Sequence, residues 1–207
     1  MSTDMTTTAG RPRSFELDEV LDRAVEVFWR RGYRDATTRD LEAALGISQS
    51  SLYNAFGSKQ GLMTAALDRY EDMTATALLE PLEESDRGLE AIDRFFDTLA
   101  EWVAGDGRGG CMIINLMAED GGADAEIAAR TRRYRERVRA ALRRGIAHSC
   151  VTAELDVRAD LLFGQVLGIN VAARGGASEG EVARLVAGTH HLIESWRRTR
   201  PQAPTST

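Results

Sequence analysis

At 207 residues with 43% hydrophobic content, the chain has material for one domain, or for a small module joined to a larger one. Its net charge of −6 gives no whole-chain sign of nucleic-acid or membrane binding. No apolar run reaches the roughly 18 residues of a membrane span, and the N-terminal stretch "MSTDMTTTAGRPR" has no apolar leader segment. Cys111 and Cys150 fit neither a disulfide framework nor a zinc spacing, so a cytoplasmic protein with reduced thiols, no metal and no cofactor is expected.

Leu17, Val20, Leu21, Ala24, Val25 and Phe28 recur at three- and four-residue spacing, which predicts an amphipathic helix closed at Gly32. Thr37 and Asp40 form a capping-box pattern opening a second helix over 38–45, with Leu41, Ala44 and Leu45 inward. Ser48 caps a third helix over 48–56, which Gly57 stops. A fourth starts after Ser58 and runs through Leu62, Ala66, Leu67 and Tyr70 towards Leu79, ending before Pro81. Helical segments follow near 87–104, 111–119, 123–148, 157–173 and 179–198, with "GDGRGG", "EDGGAD" and "RGGASEG" as loops. No segment alternates with period two, so the chain is all-α. The expected division is a disordered arm (1–13), a small N-terminal helical domain (14–60), a larger helical domain (61–198) and a disordered tail (199–207).

The third helix has an unusual surface. Leu52 and Phe56 share one face with Ala55 beside them, while Ser50 and Asn54 lie opposite and Tyr53 flanks. So short a helix needs neighbours to bury its apolar side. Its outer face is uncharged and rich in hydrogen-bonding groups. A helix, the loop "GYRDA", a second helix, a turn around "GIS" and this helix make a three-helix helix-turn-helix module. In that geometry the last helix enters the major groove with Ser50, Tyr53 and Asn54 towards DNA.

The stretch "FWRRGYRDATTRDLEAALGISQSSLYNAFGSKQGL", residues 28–62, resembles the TetR/AcrR-type transcriptional regulators. "GGCMIINLMAE" and "ELDVRADLLFGQVLGINVAARGGAS" resemble the family more loosely. The resemblance implies phosphate contacts for Thr38, Tyr53 and Lys59, which fix register without reading sequence. Arg39 stands where some members contact a base, and its fork suits guanine. Gln49, Ser50 and Asn54 are the other candidate readers. Residues 11–59 hold eight basic and eight acidic groups, so affinity rests on local placement of cations. Arg11 and Arg13 form a candidate minor-groove arm.

The C-terminal portion carries Leu161, Leu162, Val166, Ile169 and Val171 with Gly164, Gly168 and Ala172 at four-residue intervals. Val182, Leu185, Val186, Leu192 and Ile193 follow on the last helix. These two helices resemble the family's four-helix dimer interface, implying a homodimer on a palindromic operator of double-stranded DNA. The resemblance also implies a pocket for a small apolar or amphipathic ligand. Its candidate lining is Phe95, Phe96, Leu99, Trp102, Met112, Asn115, Leu116, Met117 and Tyr134, each of which also reads as plain core. Cys111 precedes a helix near Arg108 and is a candidate redox or electrophile sensor, against simple packing. The eight arginines between 130 and 144 spread around their helix and read as a solvated surface. A cysteine hydrolase using Cys111 and His148 has no supporting motif. A module that has lost DNA binding sits poorly with Arg39, Tyr53 and Lys59. The reading is a ligand-responsive regulator, most often a repressor in that family, and not an enzyme.

Overall fold

The computed structural model describes residues 13–105, 107, 109–119, 124–149 and 154–198, with side chains from Leu17 onward. Cys150, Arg108 and Arg11 lie outside these residues, as does the Arg13 side chain. Every regular element among the described residues is helical, as the periodicity requires. The chain divides into two compact units between Tyr70 and Glu71.

The first unit holds α1 (Arg13–Arg31), α2 (Thr38–Leu45), α3 (Gln49–Phe56) and the first turns of α4 (Lys59–Thr74). Ala24, Val25, Phe28, Leu41, Leu45, Leu52, Leu62 and Met63 fill its core. Thr37 caps α2 as a capping box, accepting from the Asp40 N–H while Asp40 accepts from the Thr37 N–H. Gly46, at φ 68°, ends α2 in the left-handed region and lets the chain turn within Gly46, Ile47 and Ser48. Ser48 then caps α3 by accepting from Ser51 N–H.

Three apolar positions expected to face inward lie outside. Leu17 is 46% exposed, and Ala44 and Ala55 are exposed. Eight-residue helices meet the core along a narrow strip, and Leu41, Leu45 and Leu52 occupy it. A second correction concerns Pro81. The fourth helix does not end before it: α4 passes into a π turn, Ala75–Leu79, and then α5 (Glu80–Glu83). There the Glu80 N–H reaches back five residues to the Ala75 carbonyl. A proline inside an α-helix collides with the carbonyl four residues back and brings no donor. The wider turn shifts that register by one residue, and Pro81 falls in the first turn of α5, where a missing donor costs little.

The second unit continues with α6 (Leu89–Ala104), α7 (Met112–Glu119), α8 (Ala125–Ala147), α9 (Leu155–Arg174) and α10 (Glu179–Arg198). Ile92, Phe96, Leu99, Val138, Leu142, Ile146, Leu162, Val166 and Ile193 form its interior. A buried amide ties the start of α7 to α9. Asn170 Oδ1 accepts from the Cys111 N–H at 2.7 Å, and its Nδ2 donates to the Val166 carbonyl at 2.8 Å. Gly110, at φ 68°, permits this approach, since a Cβ there would stand 2.5 Å from the Asn170 carbonyl oxygen. No helix among the described residues is long and apolar enough to cross a membrane.

Candidate nucleic-acid interface

The caps and turns of the first unit decide which polar groups reach its surface. Thr38 opens α2, Gln49 opens α3, Tyr53 lies one turn further along α3, and Lys59 opens α4. The Tyr53 side chain is 38% exposed, and its hydroxyl is hydrogen-bonded to the side chains of Gln49 and Thr38. Those two bonds, Gln49 the stronger influence, draw its pKa below the usual phenol value.

Lys59 is held rather than loose. Its Nζ donates to the Arg34 carbonyl at 3.3 Å and lies 4.8 Å from the centre of the Tyr33 ring. Burial pushes its pKa below the ordinary lysine value, against the opposing pull of Asp35 and Tyr53. Gly61 sets how closely α4 approaches the end of α3, because a Cβ on it would stand 2.0 Å from the Phe56 carbonyl oxygen. The Gly61 N–H donates to Ser58 Oγ at 2.9 Å, which caps this start.

The candidate base readers fall into two pairs. Arg39 and Asn54 are exposed, and neither has a hydrogen bond or ion pair among the described residues. Gln49 and Ser50 are exposed but engaged. Gln49 bonds Tyr53, and Ser50 Oγ lies 2.9 Å from the capping Ser48 Oγ. Other cations of this unit serve the fold: Arg69 chelates Asp22 at 2.7 and 3.2 Å, and Arg31 meets Asp40 at 3.3 Å. Arg39 is therefore the one guanidinium among the candidate readers.

Sequence reasoning missed three contributors. Tyr33 and the Arg34 carbonyl fix Lys59 across 25 residues of chain, a pairing no local spacing signals. Glu42 accepts the Gln49 N–H at 2.6 Å, placing a carboxylate at the start of α3, where the helix dipole favours it. Gly61 matters through its missing side chain.

The chain is similar to known proteins along most of its length. The pattern described as "Bacterial regulatory proteins, tetR family" matches residues 20–66, which span α2, α3 and the start of α4. The HTH-type transcriptional repressor ComR of Escherichia coli (strain K12) is 31% identical over 204 residues, covering 93% of this chain and 97% of its own. The chain belongs to the TetR family. The uncharacterized HTH-type transcriptional regulator YezE of Bacillus subtilis (strain 168) is 34% identical over 146 residues, covering 70% of this chain and 73% of its own. A cysteine-substituted variant of the TetR-family regulator CifR, solved with 26-bp double-strand operator DNA, superposes with a TM-score of 0.75 at 27% identity, over 93% of this chain and 100% of that one. This TetR-family chain is a DNA-binding transcriptional regulator and not an enzyme.

In the second unit the candidate ligand residues are dispersed. Phe95, Phe96, Leu99, Met112, Leu116 and Tyr134 are buried, and Trp102, Asn115 and Met117 are half-buried. Phe95 and Phe96 meet edge to face at 5.3 Å, and Phe95 also borders a cavity of about 260 Å³ beside the π turn. Leu116 and Met117 line a second cavity, of about 240 Å³, between α7 and α8. The Asn115 amide donates to the Gly109 carbonyl at 2.7 Å, so it organises the loop before α7. Trp102 packs against Gly107, where a Cβ would come within 2.3 Å of the indole.

Cys111 is 4% exposed and lies just before α7, with its Sγ 3.8 Å from the Tyr134 hydroxyl. Burial first, and the neighbouring thiol second, push the Tyr134 pKa well up. His148 caps α8 at the surface.

Proposed function

We propose that the protein is a dimeric repressor that binds a palindromic operator and releases it when a small molecule occupies the second unit. Thr38, Tyr53 and Lys59 hold phosphates, while Arg39 and Asn54 do most of the base reading. The observation carrying this is the contrast on the reading face. Arg39 and Asn54 are exposed with their hydrogen-bonding groups unused, and the groups around them are already satisfied. Gln49 and Ser50 contribute after exchanging their present partners for DNA. An arginine fork on guanine and an amide on adenine each discriminate by about 1–3 kcal/mol.

Pairing is supported by an exposed stripe on α9. Val157, Leu161, Gly164, Gly168 and Val171 follow helical spacing, and the three larger members are 58%, 48% and 59% exposed. A Cβ at Gly164 or Gly168 would meet nothing within 4 Å, leaving a flat surface on which a second helix can lie close. Leu185 and Gly188 extend the surface on α10. The name of ComR as a repressor favours that sign of regulation here. For release, tenfold weaker operator binding needs a ligand that discriminates between the two states by about 1.4 kcal/mol. The test is footprinting on the DNA flanking the protein's own gene, followed by screening for molecules that remove the footprint. A symmetric protected site lost on ligand addition supports the proposal. Uniform weak protection contradicts it.

A further inference from the structure

We propose that the cleft between α7 and α8 binds a small amphiphile whose anionic head lies between Arg132 and Arg135 and whose apolar body lies on Leu116, Met117, Ile127 and Ala128. This names a ligand class for the sensing reading given above and rests on it only for its regulatory meaning. The cleft measures about 240 Å³, a size that suits a short hydrocarbon chain with one polar end.

The argument turns on what the arginines of α8 do. Arg130 pairs with Glu126, and Arg137 bridges Glu71 and Glu83. Arg139 and Arg143 hold Asp156, Arg139 also holds Asp160, and Arg144 donates to the Glu83 carbonyl. Arg132, Arg133 and Arg135 are exposed and have no hydrogen bond or ion pair among the described residues. Two of those three line the same cleft, and Arg133 does not.

Residues three apart on a helix hold their Cβ atoms about 5–6 Å from each other, so two guanidinium groups can close on one carboxylate from both sides. Beneath them the floor is mostly hydrocarbon: Leu116 and Ile127 are each 4% exposed, and the one neutral polar side chain of the lining, Thr131, has its hydroxyl committed to the Ala128 carbonyl at 3.1 Å. An uncharged ligand of the same shape would use the floor and leave both cations idle. A hydrophilic anion would use the cations and leave the floor wet. An anion on a hydrocarbon tail uses both, and the low dielectric of the floor strengthens its charge-assisted bonds.

Octanoate is a suitable probe, with octanamide as its uncharged counterpart, titrated calorimetrically against the full-length protein without DNA. The wild type should bind octanoate at least about tenfold more tightly than octanamide, as charge-assisted bonds require. Arg132→Gln with Arg135→Gln should abolish that preference while leaving the far-UV spectrum and melting temperature unchanged, since both side chains are exposed. Ala128→Phe, which fills the floor, should weaken both probes alike. Equal affinity for the two probes, an undiminished preference in the double variant, or no saturable octanoate binding would each overturn the proposal. An operator-release assay separates it from the broader reading. Octanoate binding that leaves DNA affinity untouched keeps the site and sinks the sensing role. Release by another molecule, unaffected by Arg132 and Arg135, keeps the sensing role and sinks the site.

Discussion

Arg39 and Lys59 are both cations of the first unit, and their surroundings assign them different work. Arg39 is exposed with its fork unused, while Lys59 is pinned by the Tyr33 ring and the Arg34 carbonyl. Arg39→Ala should therefore cost about 1–3 kcal/mol on the operator and relax specificity at a single base position. Lys59→Ala should weaken all sequences evenly and lower the salt slope by about one. Binding of a library of operator variants checks both, and an equal loss on every sequence for Arg39→Ala would remove it from the base readers. A third residue contributes to stability in acid. Glu83 accepts from Arg137 at 2.9 and 2.8 Å, and that bond holds its pKa below the usual carboxylate range. A lowered folded value means the contribution is complete above the unfolded pKa and disappears as pH falls through the folded one. Glu83→Gln should flatten the acid limb of stability against pH; an acid limb identical to the wild type would assign it to other carboxylates. The helix starts that position the candidate DNA contacts were legible because caps are local signals: Thr37, Ser48 and Ser58 announce where each helix starts. Tyr33, Glu42 and Gly61 were not, because each acts on a partner brought near only by folding.

Among the elements, the junction of α3 and α4 is tightly constrained. Gly61 leaves room for the Phe56 carbonyl, and the same junction sets the position of Lys59 against α3. Gly61→Ala forces a Cβ to within 2.0 Å of that oxygen, so the helices must separate. Overpacking of this kind costs about 1–3 kcal/mol. Thermal melting and operator titration of the variant should both fall below wild type. A variant unchanged in both would show that the junction yields freely and that its spacing does not matter to the reading head. Helix existence was readable throughout from three- and four-residue periodicity. The π turn was not, because Pro81 signals a break in any sequence and only the wider register at Ala75–Leu79 lets the helix pass it. Ala44 and Ala55 escaped for a different reason. Alanine is a good helix former on either face, so its presence says little about burial.

For the whole molecule, the proposed function requires two reading heads, and the stripe on α9 is the surface proposed for pairing them. Leu161→Glu combined with Val171→Glu should give a monomer by sedimentation velocity, with helical content retained and operator affinity lost. A dimer that survives both charges would place the contact elsewhere. That the second unit would be helical was legible from apolar periodicity and glycine-marked loops. Its site was not, since Phe95, Phe96, Leu99 and Met112 serve as core whether or not a ligand binds beside them. The central claim is that Arg39 and Asn54, exposed with their hydrogen-bonding groups unused, make this chain a sequence-specific regulator. It is tested most directly by a salt titration of binding to the DNA flanking its own gene, against unrelated DNA of equal length, with genome-wide selection of bound fragments alongside. The account expects a symmetric site bound more tightly than unrelated DNA at every salt concentration. Equal weak binding to both DNAs, with no fragment enriched from the genome, would contradict it.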